Sequence, residues 1–297
     1  MPSEPLKAFN AHARQSLKPN FNTNFDPVAY RGMLEAEPIL EKGSTFRALQ
    51  HSRIELRPTA GHARLVVYVA GGGFCFDAND THRNLVDEIA GALGADACLI
   101  RYRLAPEHPF PAALDDVSEG LELLLRERGP ENVVVIGDSA GAALLLSSLV
   151  ACRSLGRPVP ARLVLLSALT DMAMTGLSNV ANAELDPLFG PQAIIHKAHH
   201  YLQGVNPTLP EASPYWGDVV GLPPCLFLVG DTEVMLDDSR RFVEKALNSG
   251  VDARLRIYAE APHTMPLMAD LPEATEARQD IITFLREVWP ASVPISD

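Results

Sequence analysis

Val133-Val134-Val135-Ile136-Gly137-Asp138-Ser139-Ala140-Gly141-Ala142-Ala143-Leu144-Leu145-Leu146 is the stretch whose reading decides the fold. Its opening run of β-branched residues predicts a strand buried on both faces. The Ala/Leu-rich run after Gly141 predicts a helix, because both residues are strong helix formers. Between them lies G-x-S-x-G, the pattern of a nucleophile elbow, in the strand–turn–helix context that the motif requires. The chain reverses here within a few residues, and Gly137 and Gly141, which lack a Cβ, leave room for it. Such a turn pushes the Ser139 hydroxyl out of the sheet edge and aims the first helical N–H groups at whatever the serine attacks. The structural alternative is a serine that caps a helix after a core strand; the context favours the elbow.

Upstream, Arg64-Leu65-Val66-Val67-Tyr68-Val69 predicts a central strand, and Ala70-Gly71-Gly72-Gly73-Phe74 follows it directly. Consecutive glycines cost conformational entropy and are tolerated where backbone must approach something closely. After a central strand, beside an elbow, that use is donation of N–H groups to a developing negative charge; the alternative is a flexible hairpin loop. Further strands are predicted at 52–57, 97–102, 162–167, 225–229 and 253–258, and helices from Thr81, over Leu114 to Arg126, over Ser239 to Leu247 and over 273–288. Strand–helix alternation makes this an α/β protein with a mostly parallel sheet. Residues 1–45, with Phe9, Phe21, Phe25 and Tyr30, read as a surface arm or part of a lid ahead of a catalytic domain over 46–297. Residues 170–215 break the rhythm and predict a small helical insertion over the C-terminal edge of the sheet. His196, His199 and His200 lie there at a spacing that could share one helix face and bind a metal, but no acidic partner is nearby at matching spacing, which favours a solvated face.

The 297 residues fit one large domain, and a net charge of -12 argues against nucleic acid or an anionic membrane as partner. The cysteines at 75, 98, 152 and 225 form no C-x-x-C pair and read as buried free thiols in a reducing compartment. No signal peptide or membrane-spanning stretch is visible, so a cytoplasmic location is expected.

Tyr102-Arg103-Leu104-Ala105-Pro106-Glu107-His108-Pro109-Phe110-Pro111-Ala112, with Gly137-Asp138-Ser139-Ala140-Gly141, resembles the hormone-sensitive-lipase branch of the α/β-hydrolases, which includes many bacterial carboxylesterases. The resemblance runs from about Arg64 to the C-terminus. It implies an α/β-hydrolase fold, a mostly parallel central sheet flanked by helices, with a small helical cap. It also implies hydrolysis of short- to medium-chain acyl esters by a triad in the order serine, acid, histidine. Ser139 is then the nucleophile and His263, in the loop after the strand at 253–258, the base. Asp231, Glu233, Asp237 and Asp238 compete for the acid, and laying Glu233-Val234-Met235-Leu236-Asp237 on the family's Asp-Pro-Leu-x-Asp pattern selects Glu233. The oxyanion hole falls to Gly72, Gly73 and Ala140, with Gly71 as a further contributor. Phe74, Phe76, Tyr215, Trp216 and Met265 are expected to line the acyl pocket. Neither metal nor organic cofactor is required, and the resemblance implies a homodimer as the assembly. Ala70 departs from the pattern, standing where the family carries a histidine; loss of that brace predicts a looser loop, and Ala70→His a modest gain in rate. The same scaffold also serves amide, formamide or acyl-transfer chemistry, or binds a small ligand without catalysis.

Overall fold

The computed structural model describes residues 1–23, 26–34, 44–57 and 61–289; Phe25 and part of the proposed arm lie outside the described residues. The strands are β1 (Thr45–Ala48), β2 (Arg53–Leu56), β3 (Leu65–Val69), β4 (Asp96–Arg101), β5 (Val133–Asp138), β6 (Arg162–Leu166), β7 (Cys225–Gly230) and β8 (Ala253–Tyr258). The helices are α1 (Glu4–His12), α2 (Lys18–Phe21), α3 (Pro27–Leu34), α4 (Asp80–Leu93), α5 (Ala112–Arg128), α6 (Ser139–Ser154), α7 (Ser178–Ala181), α8 (Pro191–Leu202), α9 (Leu236–Asn248) and α10 (Pro272–Arg286). The strands form one sheet in the order β1-β2-β4-β3-β5-β6-β7-β8, parallel from β4 to β8, with β1 and β2 added antiparallel.

Alternation along the strands divides the core in two. Val67, Val69, Val133, Val135, Leu163, Leu165 and Phe227 pack with residues of α5, α6 and α9. Val66, Tyr68, Val134, Ile136, Val164, Leu166 and Leu228 pack with α4, α10 and Leu6 of α1. Successive side chains of a strand point to opposite faces, so a continuous apolar run serves both layers. Each such residue, fully buried, stabilises the fold by ~1.5–3 kcal/mol relative to leaving it exposed.

β3 is flanked by β4 and β5, so the connections leave it in opposite directions. Ligands in open α/β sheets bind outside the carboxyl ends of the strands where the order reverses. The glycine loop after β3 and the Ser139 turn after β5 both emerge there, brought together by the Val69–Gly137 register. The connection from β6 to β7 carries α7 and α8, the helical insertion. The arm is fastened to it: Lys18 Nζ donates to the carbonyls of Ala183 (2.7 Å) and Asp186 (2.8 Å), and Gly190 N donates to Asn22 Oδ1 (2.7 Å). No helix among the described residues is long and apolar enough to cross a membrane.

Candidate active site

Ser139 opens α6 directly after β5 with φ of 51°, a left-handed conformation that non-glycine residues adopt at a cost. A Cβ on Gly141 would fall 2.1 Å from the Val69 carbonyl oxygen and 2.6 Å from that of Ala70. One on Gly137 would fall 2.7 Å from Leu145 Cδ1. Both glycines are therefore required by close approach, and α6 sits tight against the end of β3.

The candidate acid and base meet in the adjoining loops. His263 Nδ1 lies 2.8 Å from Glu233 Oε2. The other carboxylate oxygen accepts Gly230 N–H (2.7 Å) and the Ser167 hydroxyl (2.8 Å). Glu233 is fully buried, and a buried carboxylate needs such partners. With Nδ1–H given to Glu233, Nε2 is left as the proton acceptor. The competing carboxylates are engaged elsewhere. Asp231 accepts Glu260 N–H (2.6 Å), Asp237 accepts Ser178 N–H (2.9 Å), and Asp238 accepts the N–H groups of Thr170 (2.7 Å) and Asp171 (2.9 Å). Ser139 Oγ makes no hydrogen bond to the imidazole in this structure, a bond that often tightens only when substrate is bound.

Ser167, at the carboxyl end of β6, was not singled out from sequence. Its hydroxyl donates to Glu233 and accepts Thr264 N–H at 2.9 Å, so it ties the acid to the histidine loop. Its place at a strand end of a parallel sheet was the available signal. The insertion reaches the same loop: Asn182 Nδ2 donates to the Glu233 carbonyl (2.8 Å), while Ser178 Oγ and Asn179 Nδ2 donate to that of Val234 (2.8 Å each). Phe189, also from the insertion, sets its ring edge-to-face with His263, centroids 5.0 Å apart.

In the glycine loop, Gly72 and Gly73 take φ of 103° and 60°. Among the described residues, nothing accepts a hydrogen bond from the N–H groups of Gly72, Gly73 or Ala140. Gly71 corrects the sequence expectation. Its N–H donates to Asp138 Oδ1 at 2.8 Å and is not available to an oxyanion. The same oxygen accepts the Tyr68 hydroxyl at 2.9 Å, with His82 Nε2 3.7 Å away. Burial pushes the Asp138 carboxyl up, but His82, Gly71 N–H and Tyr68 outweigh it and hold it below the usual carboxylate range. The Tyr102 hydroxyl lies 2.8 Å from the Ala70 carbonyl and 3.1 Å from that of Gly71. The loop is thus braced without a histidine at position 70.

The expected pocket lining divides. Phe74 is fully buried and stacked on Tyr201 at 3.9 Å, so it belongs to the core, turned inward by its own φ of 65°. Met265 is buried too, lining a small cavity together with Ser167, Glu233 and Pro262. Tyr215 lies under the guanidinium of Arg241 on α9 (4.0 Å), and Trp216 Nε1 donates to Asp171 (3.1 Å) within the β6–β7 connection. Phe76 is half-buried, edge-on to Tyr30 of α3 at 5.8 Å. His196, His199 and His200 all lie on α8, and no group of potential ligands among the described residues is arranged to hold a metal ion. The four cysteines are free and buried, with burial pushing the Cys75 thiol up to about 12.

Comparison with known proteins accords with this geometry. Residues 66–267 match the family model described as alpha/beta hydrolase fold. An acetyl-hydrolase of Streptomyces hygroscopicus is 36% identical over 234 residues, 78% of this chain and 78% of that protein. An esterase of Acinetobacter venetianus is 33% identical over 233 residues, 77% of each. Among solved structures, the esterase EstE5, in crystals soaked with ethyl alcohol, superposes with a TM-score of 0.88 at 33% identity, covering 97% of this chain and 100% of that one. An esterase from the bacterial hormone-sensitive lipase family gives 0.83 at 34% identity, covering 97% and 99%. With the elbow, the glycine loop and the acid–histidine pair all at the carboxyl ends of one parallel sheet, the chain belongs to the α/β-hydrolase fold family, in its hormone-sensitive-lipase-like branch of carboxylic ester hydrolases.

Proposed function

We propose that the chain is a serine carboxylesterase that hydrolyses short- to medium-chain acyl esters through an acyl-enzyme, with Ser139, His263 and Glu233 as its triad. The observation that carries this is the 2.8 Å contact between His263 Nδ1 and Glu233, made by no other candidate acid. It fixes the tautomer in which Nε2 can accept a proton. His263 takes the Ser139 proton as Oγ bonds to the ester carbonyl carbon. The resulting oxyanion is held by N–H groups of Gly72, Gly73 and Ala140, two from left-handed glycines and one from the first turn of α6. His263 returns the proton to the alcohol oxygen as the ester C–O bond breaks. Water then repeats the sequence on the acyl-serine and releases the carboxylic acid. The arm over residues 1–45 and the insertion over 170–215 act together as a cap over the acyl pocket, supported by the Lys18 and Asn22 contacts between them.

Hydrolysis of 4-nitrophenyl acetate, butyrate and octanoate by wild type and by Ser139→Ala tests this reading. Turnover that vanishes in the variant, with wild-type Ser139 labelled by a serine-directed phosphonate, is the expected result. Wild type that neither turns over any of the esters nor takes the label overturns it.

A further inference from the structure

Helix α3 of the arm sets a guanidinium on the turn that carries the glycine loop. The turn is closed on itself: the Gly72 carbonyl accepts the N–H groups of Cys75 and Phe76, both at 3.1 Å. Gly72, Gly73 and Phe74 follow one another at positive φ, 103°, 60° and 65°. The two glycines have no side chain to pack, so the aim of their N–H groups depends on where the carbonyls just after them are tied. The Phe74 carbonyl accepts Ala105 N–H at 2.9 Å. The Cys75 carbonyl accepts Arg31 Nη1 at 2.6 Å, and the same nitrogen donates to the Ala105 carbonyl at 3.0 Å. Arg31 Nη2 pairs with the Glu107 carboxylate. A side chain of the arm thus ties the glycine turn to residues 105–107, and Tyr30 beside it sets its ring edge-on to Phe76 at 5.8 Å. An arm that served only to wall off the acyl pocket would need apolar contact alone. A guanidinium shared between two backbone carbonyls is instead a planar, rigid fork suited to holding backbone in one place.

We propose that Arg31 is a positioning residue for the reaction: by holding the Cys75 and Ala105 carbonyls it fixes the direction of the Gly72 and Gly73 N–H groups, so the arm takes part in the chemical step as well as covering the acyl pocket. Donors to an oxyanion act where charge develops in the transition state, and a misplacement of about 1 Å is enough to lose ~10²-fold in rate. The bound ester leans on them far less before reaction. Loss of the clamp therefore lowers kcat and leaves KM nearly unchanged. The inference rests on the esterase reading and extends it to a residue outside the triad.

The test is steady-state hydrolysis of 4-nitrophenyl butyrate by wild type, Arg31→Met, Arg31→Lys and Glu107→Gln. Active sites are counted by labelling with a serine-directed phosphonate run to completion, so a loss of folded enzyme cancels. Arg31→Met is expected to lower kcat per labelled site about tenfold or more, with KM within about threefold of wild type. Arg31→Lys, which keeps the charge but not the fork, should fall between the two. Glu107→Gln leaves both carbonyl contacts in place and should stay within about threefold of wild type. A raised KM at unchanged kcat makes the arm a pocket wall and overturns the inference. So does a wild-type kcat per labelled site in Arg31→Met, however far the labelled fraction drops, and so does a fall in Glu107→Gln as deep as in Arg31→Met. If Arg31→Met yields no folded protein, Arg31→Lys against wild type decides on the same terms. If wild type neither turns over any 4-nitrophenyl ester nor takes the label, the esterase reading fails, and the inference with it.

Discussion

The proposed acid–base corner and the proposed oxyanion corner of the site are held in opposite ways. Glu233 and His263 are fixed by separate partners on several segments: Gly230 N–H, the Ser167 hydroxyl, Thr264 N–H through that same hydroxyl, and Asn182 from the insertion. The glycine loop turns on itself through the Gly72 carbonyl, which accepts Cys75 and Phe76 N–H, and meets the Ser139 strand through a single carboxylate. Asp138 Oδ1 takes both Gly71 N–H and the Tyr68 hydroxyl, and Tyr102 steadies the two carbonyls. Asp138 also immediately precedes Ser139, so one carboxylate sets the loop and the nucleophile relative to each other. The first corner is redundant and the second concentrated, and substitutions should respond accordingly.

The largest effect expected is at the shared bond of the first corner. Glu233→Gln removes the charge that orients and stabilises the imidazolium, and kcat should fall by ~10³–10⁴. Asp231→Asn should change it by no more than about threefold, since Asp231 faces Glu260 instead. A larger fall for Asp231→Asn reassigns the acid. Next comes Asp138→Ala, which should lower kcat by ~10² with KM little changed. It also leaves buried Gly71 N–H and Tyr68 hydroxyl groups unsatisfied, at ~1–3 kcal/mol each, measurable by denaturant unfolding. Ser167→Ala should cost only about tenfold in kcat, because Gly230 and Asn182 still hold the acid. If it costs as much as Asp138→Ala, the contrast between the corners is wrong. Ala70→His should shift kcat by less than about threefold, because Tyr102 and Asp138 already brace the loop. A gain beyond that would show the loop to be looser than these bonds imply.

The smallest effect concerns stability and pH. Burial pushes the Asp238 carboxyl up to about 7, against a usual value near 3.8. The unfolded chain ionises this group at lower pH than the folded one, so the native state binds more protons across that interval. Stability therefore falls as pH rises from about 4 to about 7, and the penalty is complete above it. Asp238→Asn, read by thermal unfolding, should gain in Tm relative to wild type at pH 8, and the gain should shrink toward pH 4.

The central sheet was legible because its strands are continuous apolar runs buried on both faces, such as Val133–Ile136 and Leu163–Leu166. β1 was not: Thr-Phe-Arg-Ala is only four residues long and lies exposed at the sheet edge, with no buried face to mark it. Ser139 and the glycine loop could be read from local motifs. Glu233 was chosen among four carboxylates by the pattern of the family it resembles, and His263 by its place after a predicted strand; the structure sets the two side chains 2.8 Å apart. Ser167 and Asp138 could not be assigned roles in this way, since each acts through bonds to residues far away in the chain. Phe74 turned out to lie in the core for a related reason. Phe74 was chosen for its position beside the glycines, but adjacency along the chain says nothing of which way a side chain turns, and its left-handed backbone sends it into the core.

The hydrogen bonds from Ser178, Asn179 and Asn182 to the carbonyls of Glu233 and Val234 bear on how such proteins diversify. A chimera that replaced residues 167–224 with the lid of a relative would exchange more than the walls of the cleft. It would also withdraw the amide and hydroxyl groups on which the acid loop rests, so a new lid must bring its own equivalents or inherit a misplaced carboxylate.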